Sequence, residues 1–88
     1  MLSEFDAQLE KGDNPGAWTC VVINDVHELF GTRGLVKIRG AIDGEPFTSA
    51  LMAQGDGTHR LPVRAALRRA IGKEAGDSVR VRIDERIG

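Results

Sequence analysis

The chain has 88 residues, 41% of them apolar and 28% charged, with a net charge of −1, which describes one ordinary globular domain spanning residues 1–88 and excludes a disordered or collagen-like chain. A domain this small buries only ~60–65% of the surface its unfolded chain exposes, so its core has to be continuous. Apolar runs such as 20–23 and 65–67 fall far short of the ~20 residues that span a bilayer, the opening MLSEFDAQLE lacks the basic and apolar regions of a secretory signal, and the single cysteine, Cys20, has no internal disulfide partner, so a cytoplasmic location is expected.

In EFDAQLE, residues 4–10, Phe5, Ala7 and Leu9 alternate with Asp6, Gln8 and Glu10, the period-two pattern of a strand with one buried face. KGDNPG, 11–16, is a turn. AWTCVVI, 17–23, has the aromatic and β-branched content of a second, well-buried strand, with Trp18 expected as a core anchor. In NDVHELFG, Val26, Leu29 and Phe30 fall at i, i+3 and i+4, Asp25 and Glu28 have capping-box spacing, and Gly31 supplies a left-handed stop, which predicts a two-turn helix. GLVKIRGAID, 34–43, is a third strand, and Asp43-Gly44 is a hairpin turn into the fourth, PFTSALMAQ. GDGTHR, 55–60, reads as a Gly-rich turn. It leads to LPVRAALRRAIG, in which Pro62 suits the first helical position and Val63, Ala66, Leu67, Ala70 and Ile71 form one apolar stripe ended by Gly72. SVRVRID, 78–84, alternates Val79, Val81 and Ile83 with Arg80, Arg82 and Asp84 as a fifth strand.

An internal repeat joins these parts. Ile23-Asn24 opens a helix ended by Gly31, after which Gly34 precedes a strand with Val36 and Ile38. Leu61-Pro62 opens a helix ended by Gly72, after which Gly76 precedes a strand with Val79 and Val81. Two copies of one supersecondary unit that share a core imply an approximate two-fold relation. The expected fold is therefore mainly β with two short helices: a closed or double-split β-barrel (pseudobarrel) built from two pseudo-repeated strand–helix–strand units, folding as a monomer.

LPVRAALRRAIGKEAGDSVRVRI resembles the swapped-hairpin module of AbrB- and MazE-like proteins, in which an apolar residue and proline lead to a short helix, a glycine, Gly-Asp and an alternating strand. Over nearly the whole chain, FDAQL, GAW, the helix ending LFG, VKIRGAIDGEPF, GDGTHRLPV and AGDSVRV resemble the bacterial domain-of-unknown-function family DUF1905. That resemblance implies a double-split barrel capped by helices, building in one chain what AbrB-like proteins build from two, and it implies no activity.

Candidate chemistry is sparse. Asp56, His59 and Arg60 in the GDGTHR segment offer an anion- or ligand-binding or acid–base site, since histidine titrates near neutrality and turn amides cradle anions; the alternative is tight-turn chemistry alone. Lys37 and Arg39 align in the repeat with Arg80 and Arg82, four cations that would straddle a phosphate backbone if a two-fold relates them. Against nucleic acid stand the six acids among residues 1–32 and the lack of an aromatic platform, with Trp18 taken as core. Arg64, Arg68, Arg69 and Lys73 read as the solvated face of the second helix. His27 reads as a solvated helix residue. Cys20 sits in an apolar run with no activating base. Two distant histidines and one cysteine have no metal-ligand spacing, and no nucleophile elbow, P-loop or dinucleotide fingerprint occurs. No catalytic residue, metal or cofactor is therefore expected, and the function read from the residues is a non-enzymatic binding or interaction module for a protein or small anion, with a ligand-binding protein or enzyme at GDGTHR, or AbrB-like nucleic-acid binding, as alternatives.

Overall fold

The computed structural model describes residues 2–12, 18–24, 26–31, 34–55 and 57–88. The KGDNPG turn beyond Gly12, the Asp25 cap and Asp56 lie outside those residues, as does the side chain of His27. Along the chain run β1 (Ser3–Gln8), β2 (Glu10–Lys11), β3 (Thr19–Ile23), α1 (Val26–Phe30), β4 (Val36–Ile42), β5 (Glu45–Ala53), β6 (His59–Pro62), α2 (Ala65–Ile71) and β7 (Ser78–Arg86). The architecture is mainly β, as the alternating runs predict.

All strand pairs are antiparallel, in the order β1-β7-β4-β5-β6-β3-β2. The strands at the two ends of that order, β1 and β2, are neighbours in sequence, separated by Leu9 alone. The sheet therefore curls into a nearly closed barrel whose two margins are joined by one residue. Leu9 is 1% exposed; its N–H donates to the Asp77 carbonyl at 2.9 Å and its carbonyl accepts from Gly76 N–H at 2.8 Å. The single strand expected over 4–10 is thus two. Its alternation runs through the break unchanged, because Leu9 keeps its side chain inside while the backbone changes partners.

The core fills the barrel. Val21, Val36, Ile38, Leu51, Leu61 and Val81 are wholly buried, each at an inward position of its strand, and burying each contributes about 1.5–3 kcal/mol. From α1, Val26 is buried, and from α2, Leu67 and Ile71 pack on the core's edge. Gly31 and Gly72 have φ of +71° and +69°, as their places after the helices predict. Gly72 N–H bonds the Arg69 carbonyl and Lys73 N–H the Arg68 carbonyl, the paired bonds of a Schellman stop. The hairpin turn has Asp43 at φ +48° and Gly44 at +84°, as a two-residue turn matched to strand twist requires. Asp43 also clamps β7, donating its N–H to the Arg80 carbonyl and accepting Arg80 N–H on Oδ1 at 2.7 Å.

Two expectations are corrected. Residues 59–62 form β6 and not the end of a turn and the start of a helix. Pairing with β3 reaches Cys20↔Pro62 and continues through Val63 N–H to the Thr19 carbonyl at 2.9 Å, so Arg64 stays extended and α2 starts at Ala65. Val63 accordingly belongs to the sheet core, and Ala66 and Ala70 face solvent. Trp18 is no core anchor but 60% exposed. Thr19, Val21 and Ile23 hold the inward phase at β3, and strand geometry turns the intervening side chains outward, Trp18 with them.

Candidate functional site

The outward phase that exposes Trp18 also decides its neighbours. Extending the β3–β6 register by two residues sets Trp18 opposite Arg64, and the β2–β3 register sets Lys11 opposite Thr19. Met52 of β5 pairs with Arg60 of β6, one step from Pro62. Trp18, Lys11, Met52, Pro62 and Arg64 consequently line one groove of about 690 Å³ between the sheet and the start of α2, within the size range of ligand clefts. A shallower extension of about 300 Å³ shares Ser49, Pro62 and Arg64 with it and runs beneath Leu67 and Ala70 towards Pro46.

The groove has an apolar floor and a positive rim. Arg68 is fixed, donating from Nη1 to the Val63 carbonyl at 2.6 Å and lying 3.4 Å from Glu74 Oε1. Lys11 and Arg64 are exposed, and no carboxylate lies within ion-pair distance of either among the described residues. Arg60 donates from Nη2 to Gln54 Oε1 at 2.7 Å, and its Nε is buried with no partner among the described residues. Cys20, beside this face, is buried; burial raises its thiol pKa, which the Arg60 charge opposes and the Glu10 charge reinforces. Such a thiol is a poor nucleophile.

Of the residues singled out in GDGTHR, Asp56 lies outside the described residues, and His59 and Arg60, consecutive on β6, point to opposite sides of the sheet. His59 is 2% exposed. Its Nε2 lies 2.9 Å from the Gly34 carbonyl, which only accepts, so Nε2 carries the hydrogen and Nδ1 has no partner among the described residues. The ring is a latch between β6 and the segment entering β4.

The four strand cations do share the outer surface of β4 and β7, where the acids of β1 and β7 meet them. Register sets Asp6 opposite Arg80 and Glu4 opposite Arg82. Arg80 lies 3.1 Å from Asp6 and 3.5 Å from Glu4, Arg82 2.8 Å from Asp84, and Arg39 3.1 Å from Glu85. The hydrogen bond from Arg82 holds the Asp84 carboxyl below the usual range, and the hydrogen bonds that Arg80 donates to Asp6 and Glu4 raise its own pKa. Lys37 alone of the four has no carboxylate partner among the described residues.

Sequence reasoning missed the groove because it judged residues 17–23 by composition. The signal was present in the phase of Thr19, Val21 and Ile23, which excludes Trp18 from the inner face. Among the described residues no cluster of His, Cys, Asp or Glu has the geometry to hold a metal ion, and no helix is long and apolar enough to cross a membrane. No curated protein matches the chain. The profile of the domain-of-unknown-function family DUF1905 matches residues 5–83, and the chain belongs to that family.

Proposed function

We propose that this barrel is a non-enzymatic interaction module that docks an acidic, apolar segment of a partner protein in the Trp18 groove, in a reducing compartment such as the cytoplasm where Cys20 stays a thiol. The observation that carries the reading is a tryptophan 60% exposed at the mouth of a formed groove. Tryptophan and arginine dominate the binding energy of protein interfaces, and Trp18, Met52 and Arg64 are the residue types such surfaces favour. The occupant's charge follows from Lys11 and Arg64, whose cations have no protein counter-ion on the rim. The AbrB- and MazE-like resemblance of residues 61–83 supports an interaction role, and the pairing of β3 with β6 and of β4 with β7 is the arrangement an approximate two-fold between repeated units would produce.

Nucleic acid is the weaker reading. An exposed Trp18 answers the want of a stacking platform, but Arg39, Arg80 and Arg82 are occupied by carboxylates on the surface proposed to meet phosphate, and a single ring stacks one base. A small anion at GDGTHR is likewise disfavoured by the opposed directions of His59 and Arg60.

Trp18 is the only tryptophan, so its fluorescence reports on the groove. The test is a titration with two synthetic peptides of equal apolar content, Asp-Leu-Leu-Asp-Leu-Glu and Lys-Leu-Leu-Lys-Leu-Lys, and with an oligothymidine. The acidic peptide alone is expected to shift the emission to shorter wavelength, with Arg64→Glu reversing the preference. Response to the oligothymidine alone would replace the protein partner with nucleic acid, and no response to any of the three would remove the groove from consideration.

A further inference from the structure

A second opening lies on the other side of the barrel, where β1 and β3 come close without pairing. β1 is bonded to β7 along its whole length, Ser3 to Gln8. β3 is bonded to β6, and to β2 only at Thr19 and Cys20. Each strand bonds a neighbour with alternate backbone groups on either side, so the margin of β1 away from β7 and the margin of β3 beyond Cys20 present N–H and C=O groups that no strand among the described residues takes up. Between the two margins is a cleft of about 570 Å³.

The side chains show the same vacancy. On β7 the inward residues Val79, Val81 and Ile83 are at most 2% exposed. Their inward counterparts on β1, Ser3, Phe5 and Ala7, are only half-buried, and among the described residues no strand covers the flank that faces the cleft. Leu29 of α1, 39% exposed, overhangs one end. Free margins of this kind are ordinarily blocked by charge, proline or a covering loop, since they template further strands.

We propose that this cleft is a strand-addition site for an extended peptide of alternating apolar and basic residues, bound by backbone pairing along the free margin of β1. Its apolar side chains would complete the cover over Phe5 and Ala7. The basic residues follow from the rim: Glu10 and Glu28 line the cleft with no cation in ion-pair distance among the described residues, and Asp6 leaves Oδ2 unused while Oδ1 meets Arg80. The other margin of β1 already selects this pattern, because its partner β7 reads Ser-Val-Arg-Val-Arg-Ile over residues 78–83. Six residues of β1 offer ~20 Å of edge, the length over which main-chain bonds supply affinity and alternate side chains specificity. The site is independent of the Trp18 groove and carries the opposite charge preference.

The experiment is an NMR titration of the full ¹⁵N-labelled chain with the capped hexapeptide Ser-Val-Arg-Val-Arg-Ile and with its two isomers N-methylated at one or the other set of alternate residues. The unmodified peptide is expected to shift the amides of Glu4, Asp6 and Gln8, whose backbone groups point away from β7, and to slow their hydrogen exchange. N-methylation on the pairing side should weaken binding about tenfold or more, since it removes backbone bonds and keeps every side chain. Glu10→Lys with Glu28→Lys, both exposed, should weaken it severalfold with the barrel intact. Equal affinity of both N-methylated isomers, shifts centred on β4 as β7 is displaced, or no binding would each overturn the proposal. Trp18 emission is expected to stay constant throughout, so this site and the groove fail or stand separately.

Discussion

Replacing Gly40 with alanine tests the closeness of strand packing on which the barrel depends. The β4–β7 register shifts between Arg39 and Gly40, and the shift lays the β7 backbone directly over Gly40. A Cβ built there falls on the Arg82 carbonyl oxygen, with Arg82 C at 3.0 Å and Ile83 Cα at 3.1 Å, where ordinary contact begins at 3.4 Å. All three are main-chain atoms and cannot rotate aside, so β7 must retreat. Overpacking of this kind costs ~1–3 kcal/mol, and weakening the buried ladder bonds at Gly40↔Ile83 and Ala41↔Arg82 adds ~1–3 kcal/mol. Reduced freedom of the unfolded chain returns ~0.4–1 kcal/mol. Gly40→Ala should therefore lose about 2–5 kcal/mol in urea denaturation followed by far-ultraviolet circular dichroism, with Tm lower by roughly 10 °C or more. Gly31→Ala is the control: its Cβ meets nothing within 4 Å and only φ +71° opposes it, so its loss should be about 1–2 kcal/mol. A Gly40→Ala loss below that of Gly31→Ala would refute the packing argument.

Asp43→Ala should cost about 1–2 kcal/mol in the same assay and loosen amide exchange at Arg80, because the side chain accepts Arg80 N–H across the sheet; unchanged exchange at Arg80 would count against the clamp. His59→Ala should cost about 2–4 kcal/mol, through the cavity and the lost bond to the Gly34 carbonyl, whereas a surface ligand residue would lose almost none. Asp84 should titrate by ¹³C NMR below the usual carboxylate range and return to it in Arg82→Gln. A carboxylate held low in the folded state favours folding above its unfolded pKa, and that contribution disappears as pH falls through the folded value. Asp84→Asn should therefore flatten the acid limb of the stability profile slightly. Cys20, buried and with its thiol pKa raised, should react with Ellman's reagent in the native protein far more slowly than in urea; equal rates would contradict its burial.

Much of the fold was legible because alternation is a strong local signal. Val79, Val81 and Ile83 against Arg80 and Arg82, or Val36 and Ile38 against Lys37 and Arg39, assign strand and inner face together, and Asp43-Gly44 and Gly72 mark turn and helix stop by backbone chemistry alone. What failed depended on distant partners. Nothing near Leu9 says that the chain exchanges β7 for β3 there, since the exchange is made by the Gly76–Asp77 backbone. His59 to Pro62 look like a turn and a helix start until β3 is in place to pair with them. The candidate site suffered most, because the exposure of Trp18 follows from the phase of three neighbours and the rest of its groove comes from β5, β6 and α2.

Removing Trp18 tests the docking groove most directly. Trp18→Ala, with folding confirmed by circular dichroism, should bind the acidic peptide Asp-Leu-Leu-Asp-Leu-Glu at least about thirtyfold more weakly by calorimetry, the effect of truncating an interface hot spot worth ~2 kcal/mol or more. Affinity within about threefold of the unmodified chain, where roughly 0.6 kcal/mol separates the two, would contradict a docking groove built around this residue.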